Sequence, residues 1–245
     1  MTKNNPIKFF IFTTQRSGSS WLVSLLNSHP DIKAFHEIFL EKPSIEKNLP
    51  QFHIYRQNNP ARRPLATFRY LKLLDSYPVH HETIGYKVMY NQLIRCPELL
   101  AAFAIGRYRI IHLVRDNHLD RFISSESMRE SGLEHSKVEV KAKPVEVDTD
   151  NLIKYLSWQE KQVKLARLIL RLLPNQAIEI SYDDLTSNNE DTMSELSKFL
   201  RVNKRQHSFT SQRRKIHTGS LENKISNYSQ VKETLAGTRF ERFVR

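Results

Sequence analysis

The stretch FFIFTTQRSGSSWLVSLLNSHP, Phe9 to Pro30, joins an apolar run to a helical pattern through a short turn of serine and glycine. The apolar, β-rich run is typical of a strand that is buried on both faces of a parallel sheet. A strand that passes through such a turn into a helix directs several backbone N–H groups and the helix N-terminus at one point. The stretch therefore predicts an anion-binding turn at the carboxyl end of a strand.

The turn consists of Arg16, Ser17, Gly18, Ser19 and Ser20. Its glycine lets the backbone approach a ligand, its serines add hydroxyl donors, and its arginine adds a charged fork. A nucleotide triphosphatase loop has the pattern GxxxxGK[ST], but here the first glycine is missing and Gly-Ser-Ser stands in place of Gly-Lys-Ser/Thr. The turn thus indicates an anion cradle of another kind, with a plain strand-to-helix turn capped by serine and glycine as the alternative.

Length and composition limit the class of protein. A chain of 245 residues suits a single domain over 1–245. The single cysteine, Cys96, excludes a disulfide framework and a multi-cysteine zinc site, and predicts a cytoplasmic location. The apolar patch Phe9–Phe12 is too short for a signal peptide or a transmembrane segment. The net charge of +12 calls for an anionic partner, which could be nucleic acid, a membrane surface or an anionic small ligand.

Strand and helix patterns alternate along the chain. Further strands are predicted at 83–90, 108–114 and 177–182, and helices at 119–129 and 151–173. The alternation predicts an α/β, P-loop-like three-layer domain with a central parallel β-sheet flanked by helices. The segments 41–64 and 131–150 lack apolar periodicity, so they are predicted to be long loops over the active site, with plain variable insertions as the alternative.

Three separated motifs carry a resemblance to a known family. The segment TTQRSGSSWLVSLLNSHPDI resembles the 5′-phosphosulfate loop of sulfotransferases that use 3′-phosphoadenylyl sulfate (PAPS). The segment HLVRDNHLDRFISS is similar to that family's 3′-phosphate motif, in which an arginine ends a strand and a serine follows eight or nine residues later. The C-terminal ISNYSQVKETLAGTRFERF resembles the tail of bacterial and carbohydrate-type members. The resemblance implies the sulfotransferase fold and direct, metal-independent transfer of a sulfuryl group from PAPS to a hydroxyl of a carbohydrate or glycolipid.

The resemblance also implies which residues bind the nucleotide. The 5′-phosphosulfate is assigned to the turn and to Trp21, and the 3′-phosphate to Arg115 and Ser124. Lys215 and Ser220, in a basic C-terminal segment, are assigned to the 3′-phosphate and adenine. The residues alone would favour a surface ion pair between Arg115 and Asp116 and an exposed helix position for Ser124. Two anion sites at the carboxyl edge of a sheet suit a ligand with a phosphate at each end of an adenosine, which accounts for part of the positive charge without nucleic acid.

The chemistry requires a base. Sulfuryl transfer resembles phosphoryl transfer, in which an acceptor hydroxyl attacks in line and loses its proton to a positioned side chain. The segment AFHEIF supplies His36 and Glu37. In bacterial glycan and tyrosylprotein sulfotransferases a glutamate at this place is the proposed base, and Glu37 matches it, with His36 as the alternative. Lys87, in GYKVMYNQL, resembles a GxK segment of bacterial members and is expected to steady the bridging oxygen together with Arg16.

Other functions stay open at this point. A tyrosylprotein or small-molecule sulfotransferase would share every motif and differ only in its acceptor cleft. A P-loop kinase predicts magnesium-dependent nucleotide binding, and a basic nucleic-acid-binding module predicts salt-sensitive binding to random duplex. The expected partners are therefore PAPS or its desulfated product PAP and a hydroxylated acceptor, with no nucleic acid.

Overall fold

Five parallel strands form one sheet in the order β2-β3-β1-β4-β5. The computed structural model describes residues 6–59, 63–76, 81–131, 143–202, 209–210 and 220–244. The strands are β1 Ile7–Thr13, β2 Ile32–Glu37, β3 Thr83–Met89, β4 Arg109–Val114 and β5 Ala177–Ser181. β1 lies at the centre because its apolar residues, Phe9–Phe12, can be buried on both faces, and all four are at most 1% exposed.

Helices follow the strands along the described chain. They are α1 Ser19–Leu26, α2 Phe52–Asn58, α3 Arg63–Asp75, α4 Tyr90–Arg95, α5 Glu98–Ile105, α6 His118–Ser131, α7 Thr149–Leu172, α8 Tyr182–Ser187, α9 Asn189–Leu200 and α10 Tyr228–Leu235. The predicted α/β architecture, a central parallel β-sheet flanked by helices, is confirmed. None of the helices in these residues has the length and apolar character that a membrane span requires.

The chain divides into two compact units, each with its own core. The first comprises Met1–Val114 and Ile169–Ser211, and the second comprises Arg115–Leu168 and Gln212–Arg245. In the first, apolar residues of β1 and β4 pack with α1 and α9; in the second, those of α6, α7 and α10 pack together. The expectation of a single domain over 1–245 stays a prediction.

The segment 41–64 is not a continuous loop, since it contains α2 and the first residues of α3. Aromatic packing explains the difference. The ring of Phe52 lies 5.2 Å from that of Phe39 and 5.0 Å from that of Tyr70, and the Tyr70 hydroxyl donates to the Pro50 carbonyl at 2.7 Å. Pro50 precedes α2 and so does not interrupt it.

The segment 131–150 is bounded by two helices, because Ser131 ends α6 and Thr149 begins α7. Residues 132–142 lie outside the described residues. Within 143–148, Val145 forms a parallel bridge with Ile225, and its N–H donates to the Lys224 carbonyl at 2.8 Å. The position of both segments over an active site stays a prediction.

Candidate functional site

The turn after β1 is fixed by two buried hydroxyl groups. Thr13 Oγ1 donates to the Leu113 carbonyl of β4 at 2.7 Å and lies 2.6 Å from Ser17 Oγ. Ser17 Oγ also donates to the Thr14 carbonyl at 2.9 Å, and Ser17 is fully buried. The Ser17 hydroxyl is therefore engaged within the fold and holds the shape of the turn.

The backbone of the turn has the geometry of an anion nest. Arg16 and Gly18 both adopt left-handed conformations, with φ of 60° and 88°. For a non-glycine residue such as Arg16 this costs about 1–2 kcal/mol, and strain of this kind concentrates at functional sites. The N–H groups of Trp21 and Leu22 both donate to the Gly18 carbonyl, at 3.0 and 3.1 Å. The backbone N–H groups of Ser19 and Ser20, in the first turn of α1, have no backbone acceptor among the described residues. They are therefore available to an anion.

The ring of Tyr182 packs against the turn at Gly18. A Cβ atom on Gly18 would lie 2.4 and 2.6 Å from two ring carbons of Tyr182, so only glycine fits against this ring. Trp21, predicted to contact the nucleotide, is half-buried against the first unit's core, and its ring meets Tyr182 edge-on at 6.4 Å. Tyr182 was not among the predicted site residues; it lies directly after β5, in the segment AIEISYDDL.

Glu37 and Lys87 meet across neighbouring strands. Phe35 pairs with Tyr86 and Glu37 with Lys87, so His36 is the additional residue of a β-bulge. Lys87 Nζ lies 3.2 Å from Glu37 Oε1; the lysine side chain is 6% exposed and the glutamate side chain 25%. The structure thus brings together two of the four predicted catalytic residues, in a pair whose carboxylate is partly exposed.

The glycine of the GxK segment has a packing role. A Cβ atom on Gly85 would lie 2.0 to 2.4 Å from three ring carbons of Phe9 on β1. Gly85 therefore lets the Phe9 ring cover β3, and Lys87 follows on the same strand.

Gln92 is a site residue that the sequence analysis missed. Its Nε2 donates to Glu37 Oε2 at 3.4 Å, and its Oε1 accepts from the Met89 N–H at 3.0 Å. Gln92 is 4% exposed. Glutamine at the third position of a helix often caps the helix start in this way, which is the signal that could have identified it. Each oxygen of Glu37 thus has one donor and keeps a lone pair for a further proton donor.

Side chains hold the backbone on both sides of Glu37. The His36 N–H donates to Glu46 Oε1 at 2.7 Å, and Ser44 Oγ donates to the Glu37 carbonyl at 3.0 Å. The Gln51 side chain holds the backbone of the following loop: it accepts from the Ser44 N–H at 2.7 Å and donates to the Glu46 carbonyl at 2.8 Å. Glu37 therefore lies on a braced backbone, as a positioned base requires.

In the second unit, Arg115 pairs with a carboxylate of α6, the helix that also carries Ser124. Arg115 follows β4, and its Nη2 donates to Asp120 Oδ2 of α6 at 3.0 Å. Ser124 lies one turn after Asp120 on the same face of α6. Arg115 and Ser124 are both only 9% exposed. Neither is an exposed surface position, and Asp116 pairs instead with Arg167, at 3.5 Å.

His118, in the first turn of α6, adds no charge to this region. Burial, and to a smaller extent the nearby Arg121 guanidinium, lowers the pKa of His118 to about 4. It is 4% exposed and is neutral at physiological pH. The positive charge near Asp120 comes from Arg115 and from Lys224, whose Nζ lies 3.7 Å from Asp120 Oδ1.

The remaining predicted nucleotide contacts are in the C-terminal segment. Lys215 lies outside the described residues. Ser220 is exposed and precedes a short 3-10 turn, Leu221–Asn223. Within the described ranges, no group of three histidine, cysteine, aspartate or glutamate side chains could hold a metal ion.

A sequence model of the Sulfotransferase family matches residues 6–206. The chain belongs to this family. The fold of this sulfotransferase is similar to that of a sulfotransferase from Alicyclobacillus acidocaldarius, at 15% identity and a TM-score of 0.50, covering 98% of this chain and 96% of the other. It is also similar to the sulfotransferase domain of the curacin biosynthetic pathway, at 15% identity and a TM-score of 0.51, covering 95% and 91%. No functionally curated protein matches its sequence.

Family membership confirms the prediction of a PAPS-dependent sulfotransferase. Two groups of residues, each taken by itself, have chemistry that suits part of the donor. The turn at Arg16–Ser20 offers amides in a left-handed nest, which suits a phosphosulfate. Arg115, whose guanidinium is fixed by a carboxylate, suits a phosphate.

Proposed function

We propose that this sulfotransferase transfers the sulfuryl group of PAPS to a hydroxyl of a carbohydrate or glycolipid, with Glu37 as the general base. The observation that carries the proposal is the Glu37 carboxylate, which is partly exposed and held by Lys87 and Gln92. Lys87 is paired with Ile11 of the neighbouring strand β1, two residues before β1 ends. The anion-binding turn follows directly after that end. The base and the turn thus belong to the same edge of the sheet.

Backbone amides and positively charged side chains would bind the sulfuryl donor, PAPS. When bound, PAPS supplies an activated sulfuryl group. The amides of the turn at Ser17–Ser20 hold its 5′-phosphosulfate, while the Arg16 guanidinium and the Lys87 ammonium stabilise negative charge that develops on the leaving oxygen. Arg115 and Ser124 bind the 3′-phosphate, and Trp21, Lys215 and Ser220 remain proposed contacts of the nucleotide.

Glu37 would act on the acceptor side. Its two oxygens are oriented by separate donors, so the carboxylate faces an incoming hydroxyl in a fixed geometry and accepts its proton. His36, the bulged residue beside it, is the alternative base. The acceptor class rests on the resemblance of the motifs to bacterial carbohydrate-type members. The cytoplasmic location and the lack of a nucleic-acid partner stay predictions.

The test is transfer of label from sulfur-labelled PAPS. The purified chain is offered four acceptors: a neutral oligosaccharide, a glycolipid, a tyrosine peptide and a phenol. We expect label in the oligosaccharide or the glycolipid, with release of one PAP for each sulfuryl group transferred. Label found only in the peptide or the phenol would show that the acceptor class is wrong.

A further inference from the structure

An open cavity of about 340 Å³ lies in the first unit, lined by Glu41, Arg56, Ile94 and Arg95. Its volume is at the lower end of the range for small-molecule sites. Ile94 is 76% exposed, so a large apolar side chain stands uncovered beside two guanidinium groups. Three of the four lining residues are charged, so the cavity suits a charged group of a ligand.

Two residues that line the cavity, Glu41 and Arg95, are close along the chain to residues of the Glu37 group. Glu41 follows Glu37 by four residues, which span at most about 14 Å. Arg95 lies one turn after Gln92 in α4, a rise of about 4.5 Å, and the Gln92 side chain contacts Glu37. The cavity therefore neighbours the segment that carries Glu37 and the helix whose Gln92 contacts it.

The residues that line the cavity include one carboxylate and two guanidinium groups. Glu41 is in direct contact with Arg56, so that carboxylate is already neutralised. Arg95 is exposed and forms no ion pair within the part of the chain that the structure describes. The cavity thus carries one excess positive charge, in a planar fork that matches a carboxylate or a sulfate.

We propose that this cavity binds a negatively charged substituent of the acceptor, while a neighbouring hydroxyl is presented to Glu37. This inference rests on the proposed function, and it narrows the acceptor to an anionic saccharide that bears a carboxylate or a sulfate. Arg95 is the specificity-determining residue, since the Arg56 guanidinium is already paired with Glu41.

The test is calorimetric binding to the full chain saturated with PAP. The ligands are para-nitrophenyl β-glucoside, the corresponding glucuronide, and the glucoside with a sulfate ester at its primary hydroxyl. Because Arg95 is exposed to solvent, we expect the two anionic ligands to bind only about twofold to fivefold more tightly than the glucoside. Tighter binding of one anion than of the other identifies the substituent.

Variants assign the preference to Arg95. Arg95→Gln should abolish it, and Arg95→Lys should retain part of it. Arg69→Gln, which removes an exposed arginine from α3, is the matched control and should leave it unchanged. PAP affinity should be the same in all four proteins, since the cavity is assigned to the acceptor.

Two results would overturn the inference while leaving the proposed function intact. One is equal binding, or no binding, of all three ligands to a chain that binds PAP. The other is a preference that persists in Arg95→Gln. A chain that fails to bind PAP would instead overturn the proposed function itself.

Discussion

The turn at Arg16–Ser20 and the group formed by Glu37, Lys87 and Gln92 are built in opposite ways. The turn is made within a few consecutive residues, and its binding groups are mostly backbone amides held in left-handed conformations. The Glu37 group joins side chains from three elements, β2, β3 and α4. Substitution of Glu37 or Gln92 should therefore affect catalysis at the second region without affecting the nucleotide site at the first.

The largest expected effect is that of Glu37→Gln. The substitution keeps the shape of the side chain but removes the base, so turnover should fall by about 10²–10⁴. PAP affinity should be unchanged. The measurement is kcat together with calorimetric binding of PAP, and Glu82→Gln, at an exposed glutamate just before β3, is the control. Near-normal turnover would move the role to His36, and loss of PAP binding would make Glu37 a structural residue.

Arg115→Ala tests an anion site that is made by a side chain instead of by the backbone. The variant loses a charge-assisted contact, so PAP binding should weaken by about 1.5–3 kcal/mol, or about tenfold to a hundredfold. Adenosine 5′-phosphate, which lacks the 3′-phosphate, should bind nearly as well as to the unaltered chain. If both nucleotides lost affinity equally, the assignment of Arg115 would be wrong.

Gly18→Ala tests the backbone-made turn. The left-handed conformation costs an alanine about 1–2 kcal/mol, and its Cβ would also overlap the Tyr182 ring. PAP affinity should fall about tenfold. Gly237→Ala is the matched control, because Gly237 has a φ of +69° but open space around it, so its effect should be confined to thermal stability. Unchanged PAP affinity in Gly18→Ala would mean that the nest does not bind the nucleotide.

Gln92 should give the smallest effect, since it acts through Glu37. Gln92→Leu removes one donor to the carboxylate, so kcat should fall about threefold to tenfold, in line with the loss of one hydrogen bond, while KM for PAPS stays the same. Gln92→Glu keeps an acceptor for the Met89 N–H but places a like charge beside Glu37. It should therefore retain thermal stability and lose more turnover than Gln92→Leu. If the loss of turnover in the two variants were instead proportional to their loss of thermal stability, the role of Gln92 would be limited to capping the helix.

The same contrast explains what the sequence could predict. The strands and the turn follow from local patterns, because a continuous apolar run such as Phe9–Phe12 is stable only when covered on both faces. The bulge at His36 and the donor at Gln92 depend on pairing between segments about 50 residues apart, which no local pattern records. Helix α2 was missed for a related reason, since the aromatic packing of Phe52 outweighs the polar, proline-rich composition around it.

The most direct test of the central claim compares three ligands by thermal denaturation of the unaltered chain: PAP, ATP with magnesium, and a short DNA duplex. A ligand present at about 100 times its Kd stabilises the folded state by about 2.7 kcal/mol. PAP should raise the melting temperature clearly at micromolar concentration, while ATP with magnesium and the duplex should change it little at physiological salt. Stabilisation by ATP that depends on magnesium, or by the duplex but not by PAP, would contradict the account.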